Sequence, residues 1–301
     1  MTANSIDVAP LDVASIDIDS TNDDIDPAVP TADVAIYYPA NLDAAHTAKV
    51  TFDLLIEGFL QAKRIFKEGG VQLRLAWVRS GFVDPALFAI QSTASENDSP
   101  GQRFVNMYRA AERRPSRLSN EAEQAFESIV GDVPNGDRIV HLVTLQDVYM
   151  TFYEQIDFRT WQQKTITTGG LSFPSYMYGS TIPRHLRGVI TITDLTKDED
   201  SWKTIAHELG HKLMNVSHEY RDTSPQHEVN ADGGLMLYGS GTEIPSGPEG
   251  RFHRERLHRS PYVYRINDSG GRDYNPDYAT DGFYYDEIYK DISVEIEGSV
   301  G

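Results

Sequence analysis

The chain has no cysteine among its 301 residues. Disulfides, thiolate nucleophiles, iron–sulfur clusters and cysteine-bound zinc are excluded, and any metal must be held by His, Asp or Glu. No apolar run approaches the roughly 20 residues that a membrane-spanning helix needs, so a soluble protein without a membrane span is expected. Positive charge is scarce: 27 Lys and Arg stand against 45 Asp and Glu, a net charge of −18. That sign is wrong for gripping phosphate backbones or anionic lipid, which argues against nucleic acid as a partner. A secretory signal would have a basic start and about 7 to 15 apolar residues; residues 1–30 interleave Asp with Ile, Val and Ala instead. Secreted and cytoplasmic locations both stay open.

What is present suits a folded core, with 40% apolar and 24% charged residues. Residues 1–33 hold eight Asp and no Lys, Arg or aromatic, so residues 1–32 read as an unpacked acidic tail or as a pro-segment covering a site. Globular structure is expected over 33–301. A strand at Ala35-Ile36-Tyr37-Tyr38 leads to a long helix capped by Asp43, with Val50, Leu54, Leu55, Phe59, Ala62 and Phe66 at three- and four-residue steps up to Gly69-Gly70. Alternation over 71–77 predicts a second strand, completing a β-α-β opening. Residues 80–101 read as loop, 103–113 and 120–129 as helices, and 138–145 and 188–193 as strands. Residues 170–173, ending at Pro174, read as an edge strand, because proline cannot donate to a ladder.

The chemistry-bearing segment follows. Residues 196–199 have capping-box spacing, and Trp202, Ala206, Leu209 and Leu213 form one apolar stripe, predicting a helix of about four turns from near Asp198. On it lies His207-Glu208-Leu209-Gly210-His211, the HExxH pattern. Histidines four apart project from one helix face, so both imidazoles can reach one Zn²⁺ at about 2.0–2.1 Å. Glu208 can take a proton from water and return it to a leaving amine, while zinc brings the pKa of that water toward about 7. The plain alternative is a pair of surface or core histidines on an amphipathic helix. Catalytic zinc wants three protein ligands, so a third must lie elsewhere.

Downstream stand His218-Glu219 and Leu235-Met236-Leu237-Tyr238-Gly239. Here the chain resembles the metzincin clan of zinc peptidases, whose HExxHxxGxxH pattern brings in a third His after a turn, above a Met-containing turn. Met236 matches the Met-turn. Glu219 directly after His218, and Tyr238 two residues after Met236, are similar to astacin-like enzymes, and the resemblance implies an oxyanion-stabilising role for Tyr238. His218 comes seven residues after His211 where the clan has six, and Met214 occupies the place of the turn glycine. Asn215 keeps the interval to the third His and tolerates the left-handed conformation, so a helix one residue longer, turned at Asn215, is expected. Typical astacins carry disulfides, so the resemblance reaches the clan and not the family. A rival ligand is Glu228, in a segment resembling the ExxAD stretch of gluzincins; Gly233-Gly234, at about 1 kcal/mol each, disfavours the helix it would need.

The resemblance implies an α+β zincin with a twisted mixed sheet, two long helices and an irregular C-terminal subdomain, divided into about 33–218 and 219–301. It implies a zinc endopeptidase acting on polypeptide: His207, His211 and His218 hold the metal, Glu208 is the base, and Met236 shapes the floor. Gly170, Leu171 and Ser172 would bind extended substrate at a sheet edge, unless they form an ordinary edge hairpin, and residues 240–260 would wall a side-chain pocket. Rival readings are a gluzincin-type site, a zinc hydrolase of a non-peptide amide, and a non-catalytic binding protein. His46, His141, His185, His253 and His258 read as satisfied surface or strand histidines. Asn267, Asp268, Asp273, Asn275, Asp277 and Asp281 offer oxygens of the kind Ca²⁺ takes, or form a solvated loop. Tyr274, Tyr278, Tyr284, Tyr285 and Tyr289 are expected to pack the C-terminal part.

Overall fold

The first strand, β1 (Thr31–Tyr37), is buried along its whole length, because both its faces carry apolar side chains. Ala32, Val34 and Ile36 enter one core and Ala35 and Tyr37 the other, the pattern of a strand covered on both sides. The computed structural model describes residues 18–92, 118–156, 160–172, 182–196, 201–216, 234–236 and 241–276. The architecture is α+β. Around β1 lie β2 (Gln72–Arg79) on one side and β4 (Val140–Thr144) on the other, both parallel to it. Next come β8 (Val189–Ile192), parallel to β4, and β7 (Gly170–Ser172), antiparallel to β8 and last in the order. β9 (Val263–Ile266) pairs antiparallel with the start of β1 and carries β10 (Arg272–Tyr274).

One face of this sheet is covered by α3 (Phe52–Glu68) and α5 (Thr204–Met214), whose Leu55, Phe59, Phe66, Ala206, Leu209 and Leu213 share a core with Val34, Leu142 and Ile190. The other is covered by α4 (Asn120–Ile129) and by a three-stranded sheet of β3 (Ala89–Gln91), β5 (Asp147–Gln155) and β6 (Trp161–Thr167). No described helix is long and apolar enough to cross a membrane.

Asp33, 1% exposed on β1, receives Arg74 of β2 through Nε (2.7 Å) and Nη2 (2.6 Å), Arg272 of β10 (2.6 Å) and the Tyr264 hydroxyl of β9 (2.9 Å). Burial raises the pKa of Tyr264, and the neighbouring carboxylate adds to this. This buried cluster ties four strands together.

Several expectations are revised. The helix capped by Asp43 is two helices: Asp43 caps α2 (Ala44–Lys49), accepting from His46 N, and Thr51 starts α3 by accepting from Leu54 N at 3.1 Å. Residues 18–32, within the segment read as an acidic tail or pro-segment, are packed: Ile18–Asn22 is α1, Thr31 and Ala32 begin β1, and the Asn22 amide donates to Leu75 O (2.9 Å) and accepts from Leu75 N (3.0 Å), capping the outer edge of β2 as a strand would. Lys63 reaches Thr21 O and Asp24, whose pKa is lowered chiefly by that hydrogen bond. From the part expected to form the C-terminal subdomain, β9 joins the main sheet by pairing with β1. Within the segment read as loop, Pro85–Leu87 forms a 3₁₀ turn and β3 follows. The strand expected from residue 138 starts at Val140, because Asn135 is left-handed (φ 56°, ψ 28°) and Gly136–Arg138 makes a 3₁₀ turn. Residues 103–113 lie outside the described residues.

Candidate metal centre

α5 presents the HExxH residues, and its ends explain their placement. It begins at Thr204 after a 3₁₀ turn, Ser201–Lys203, and spans 11 residues, so the four-turn helix from Asp198 is corrected to about three turns. The cap expected near Thr196 is used otherwise: its hydroxyl and N–H both bond Asp194 Oδ1 at 2.8 Å in a local turn. At the other end Asn215 is left-handed (φ 52°, ψ 52°) and stops the helix where the resemblance to the metzincin pattern implies a turn.

The rings of His207 and His211 lie edge-on, 4.7 Å between centroids and 84° between planes. His207 Nδ1 donates to Leu235 O, and His211 Nδ1 donates to Val216 O, each at 2.8 Å. A carbonyl only accepts, so in both rings Nδ1 carries a hydrogen, and in a neutral ring that leaves the lone pair on Nε2. Backbone carbonyls in this role orient metal-binding imidazoles and make them better ligands. Glu208 and His211 are 6% and 1% exposed.

Two glycines bring neighbouring elements into contact with this face. A Cβ at Gly170 would stand 2.8 Å from Glu208 Cγ and 3.0 Å from its Oε1, so β7 lies directly on the Glu208 side chain. A Cβ at Gly210 would stand 2.5 Å from Met236 Sδ and 3.0 Å from Met214 Cε, so Met236 packs against the helix at Gly210. Leu235, whose carbonyl orients His207, is the residue before Met236. The structure thus gathers His207, Glu208, His211, Met236 and Gly170, with Leu171 and Ser172 buried along the same edge strand. His218, Glu228 and Tyr238 lie outside the described residues, and among the described residues no group of three or more His, Cys, Asp or Glu is placed to hold a metal ion.

The other histidines are engaged elsewhere. His141, wholly buried on β4, has Nε2 at 2.8 Å from Gly136 O and Nδ1 at 3.2 Å from the Tyr37 hydroxyl; burial pushes its pKa down to about 4. His46 contacts Gln146 O at 2.7 Å, and His185 contacts Glu127 at 2.8 Å. The pKa of His258 is lowered by burial, and His253 is buried on α6 (Arg251–His258). Asn267 Oδ1 closes the β9–β10 turn by accepting from Ser269 N (3.1 Å) and Gly271 N (2.8 Å). The Asn275 amide ties to His258 O (2.8 Å) and Ser260 O (2.9 Å). Asn267 Oδ1 and Asn275 Nδ2 thus serve the local backbone; Asp277 and Asp281 lie outside the described residues. Tyr274 packs on Tyr264, its ring 5.2 Å away, while the other C-terminal tyrosines expected to pack there are also outside. One group that sequence reading passed over is Arg256 of α6, which reaches the carbonyls ending α5. Comparison with known proteins adds no family: no family model matches the chain, and no curated protein matches it.

Proposed function

We propose that the chain is a zinc-dependent endopeptidase of metzincin type. The observation that carries this reading is the shared placement of His207 and His211, each held by a backbone carbonyl at Nδ1, which in the neutral ring leaves Nε2 as the metal-binding nitrogen. The left-handed Asn215, four residues past His211, supports a chain that turns back toward the helix. The donor set suits zinc, with His207, His211 and His218 as ligands. Zinc held there would acidify a water and polarise a peptide carbonyl.

The chain's own residues would do the rest. Glu208, buried beside the two rings, takes a proton from the attacking water and passes it to the departing amine. Tyr238 steadies the developing oxyanion. β7 holds extended substrate at Gly170: Thr193 N bonds Gly169 O and Leu171 faces Thr191, so the alternation of an antiparallel pair turns the Gly170 backbone groups away from β8, while Ser172 is buried. Added main chain would lie along that edge, next to Glu208.

The test measures zinc in the purified full chain and in H207A, H211A, H218A and E228A, together with cleavage of a peptide library by wild type and E208Q. The expected result is zinc in the wild type, its loss in the three histidine variants and not in E228A, and cleavage lost in E208Q with zinc kept. A wild-type chain free of zinc and indifferent to chelators overturns the proposal. Loss in E228A with retention in H218A moves the site to the gluzincin arrangement, and turnover of a small amide without any peptide cleavage makes it a non-peptide hydrolase.

A further inference from the structure

The residues just after the second histidine are held from two sides. His211 Nδ1 bonds the carbonyl of Val216 at 2.8 Å. The two carbonyls before it belong to Arg256, whose Nε donates to Met214 O at 2.7 Å and whose Nη2 donates to Asn215 O at 2.8 Å. Three successive carbonyls, 214 to 216, are thus fixed by one imidazole of α5 and one guanidinium of α6. Arg256 is 6% exposed, and its charge lies at the negative end of the α5 dipole, where a cation is favoured. The turn it grips contains Asn215, which leaves the helix in a left-handed conformation. Met214, the first residue it grips, reaches back toward Gly210 beside Met236.

We propose that Arg256 is a positioning residue for the metal centre: by clamping Met214 O and Asn215 O it keeps Val216 O under His211 Nδ1, and so fixes the tautomer and direction of that ring. The proposal rests on the zinc reading above. The guanidinium suits the task because its two donors lie in one plane and meet two neighbouring carbonyls together. Lysine keeps the charge but offers a single point of contact. Arg254, two residues before it on the same helix, instead binds Pro245 O and Gly247 O and serves as the control.

The experiment uses the full chain as wild type, R256K, R256M and R254K. Zinc affinity is read by competition with a chelator of known strength, and the His211 tautomer by ¹⁵N imidazole shifts in the metal-free protein. Loss of a partner that orients a metal ligand through the residues around it weakens metal binding about 10- to 100-fold, and that loss is expected for R256K and R256M but not R254K. The metal-free R256K is expected to lose its single Nδ1–H form at His211, while far-UV circular dichroism stays unchanged. R256K keeps charge and length, so it remains informative if R256M does not fold. Wild-type zinc affinity and an unaltered His211 tautomer in folded R256K would overturn the proposal. Should the wild type bind no zinc, the endopeptidase reading fails, and the tautomer measurement still decides whether Arg256 orients His211.

Discussion

Replacing Gly170 with Ala puts a methyl group 2.8 Å from Glu208 Cγ and Thr204 Cγ2, and 3.0 Å from Glu208 Oε1. Carbon atoms in contact prefer about 3.5–4.0 Å, so something must give by about 1 Å. Gly170 is held by its pairing with β8 opposite Ile192, and the Glu208 backbone is held in α5. The Glu208 side chain, carboxylate included, and the Thr204 methyl are therefore the groups that move, and of these the carboxylate bears on the reaction. Overpacking of this kind costs about 1–3 kcal/mol of stability, and displacing a reacting group by about 1 Å costs about 100-fold in rate. The expected outcome for G170A is a kcat for peptide cleavage down about 100-fold, with zinc content unchanged, because the atoms nearest the new methyl belong to Glu208 and Thr204. The double variant G170A/E208Q should be no slower than E208Q alone, since the methyl acts through the carboxylate. Steady-state kinetics and metal analysis on the four proteins check this. A G170A enzyme with wild-type rate and stability, or a penalty that multiplies with E208Q, would refute the placement of β7 against the base.

Two further outcomes concern stability. At Asn215, Ala in a left-handed conformation should cost about 1–2 kcal/mol in urea unfolding while Gly is tolerated; equal stabilities for N215A and N215G would contradict the turn. At His141, the folded pKa of about 4 lies below the ordinary 6.5, so the unfolded chain takes up the proton first. Its contribution is therefore fully present above about pH 6.5 and is lost as pH falls toward 4, roughly 3 kcal/mol in all. Urea unfolding from pH 8 to pH 4 should show this slope in wild type and a flatter one in H141Q; identical slopes would remove His141 as the cause.

Local signals carried a good part of this structure. α4 spans Asn120–Ile129, the range read from the sequence, and the turn at Asn215 is implied by the metzincin resemblance and by asparagine's tolerance of positive φ. HExxH was legible because its chemistry fits within five residues of one helix. Failures came where a local preference met a competitor. Thr196 had the right spacing for a helix cap, but Asp194 captured it, and Thr51 split a continuous apolar stripe by capping a new helix. The hairpin of β5 and β6 was missed because residues 162 and 164–167 are exposed and show no buried face to mark a period of two. Asp33 and Arg256 could not be read at all. Their partners lie as far as 239 and 42 residues away, and nothing in the neighbouring sequence marks either one as buried.

The Asp33 cluster also sets an order of events during synthesis. Arg74 follows Asp33 by 41 residues, but Tyr264 and Arg272 follow it by 231 and 239. At about 5–20 residues per second on a ribosome, the carboxylate waits roughly ten seconds or more for its last two partners. Through that interval the seam between β1 and β9 stays open, so the nascent chain carries an incomplete sheet that only its late-emerging segment can close.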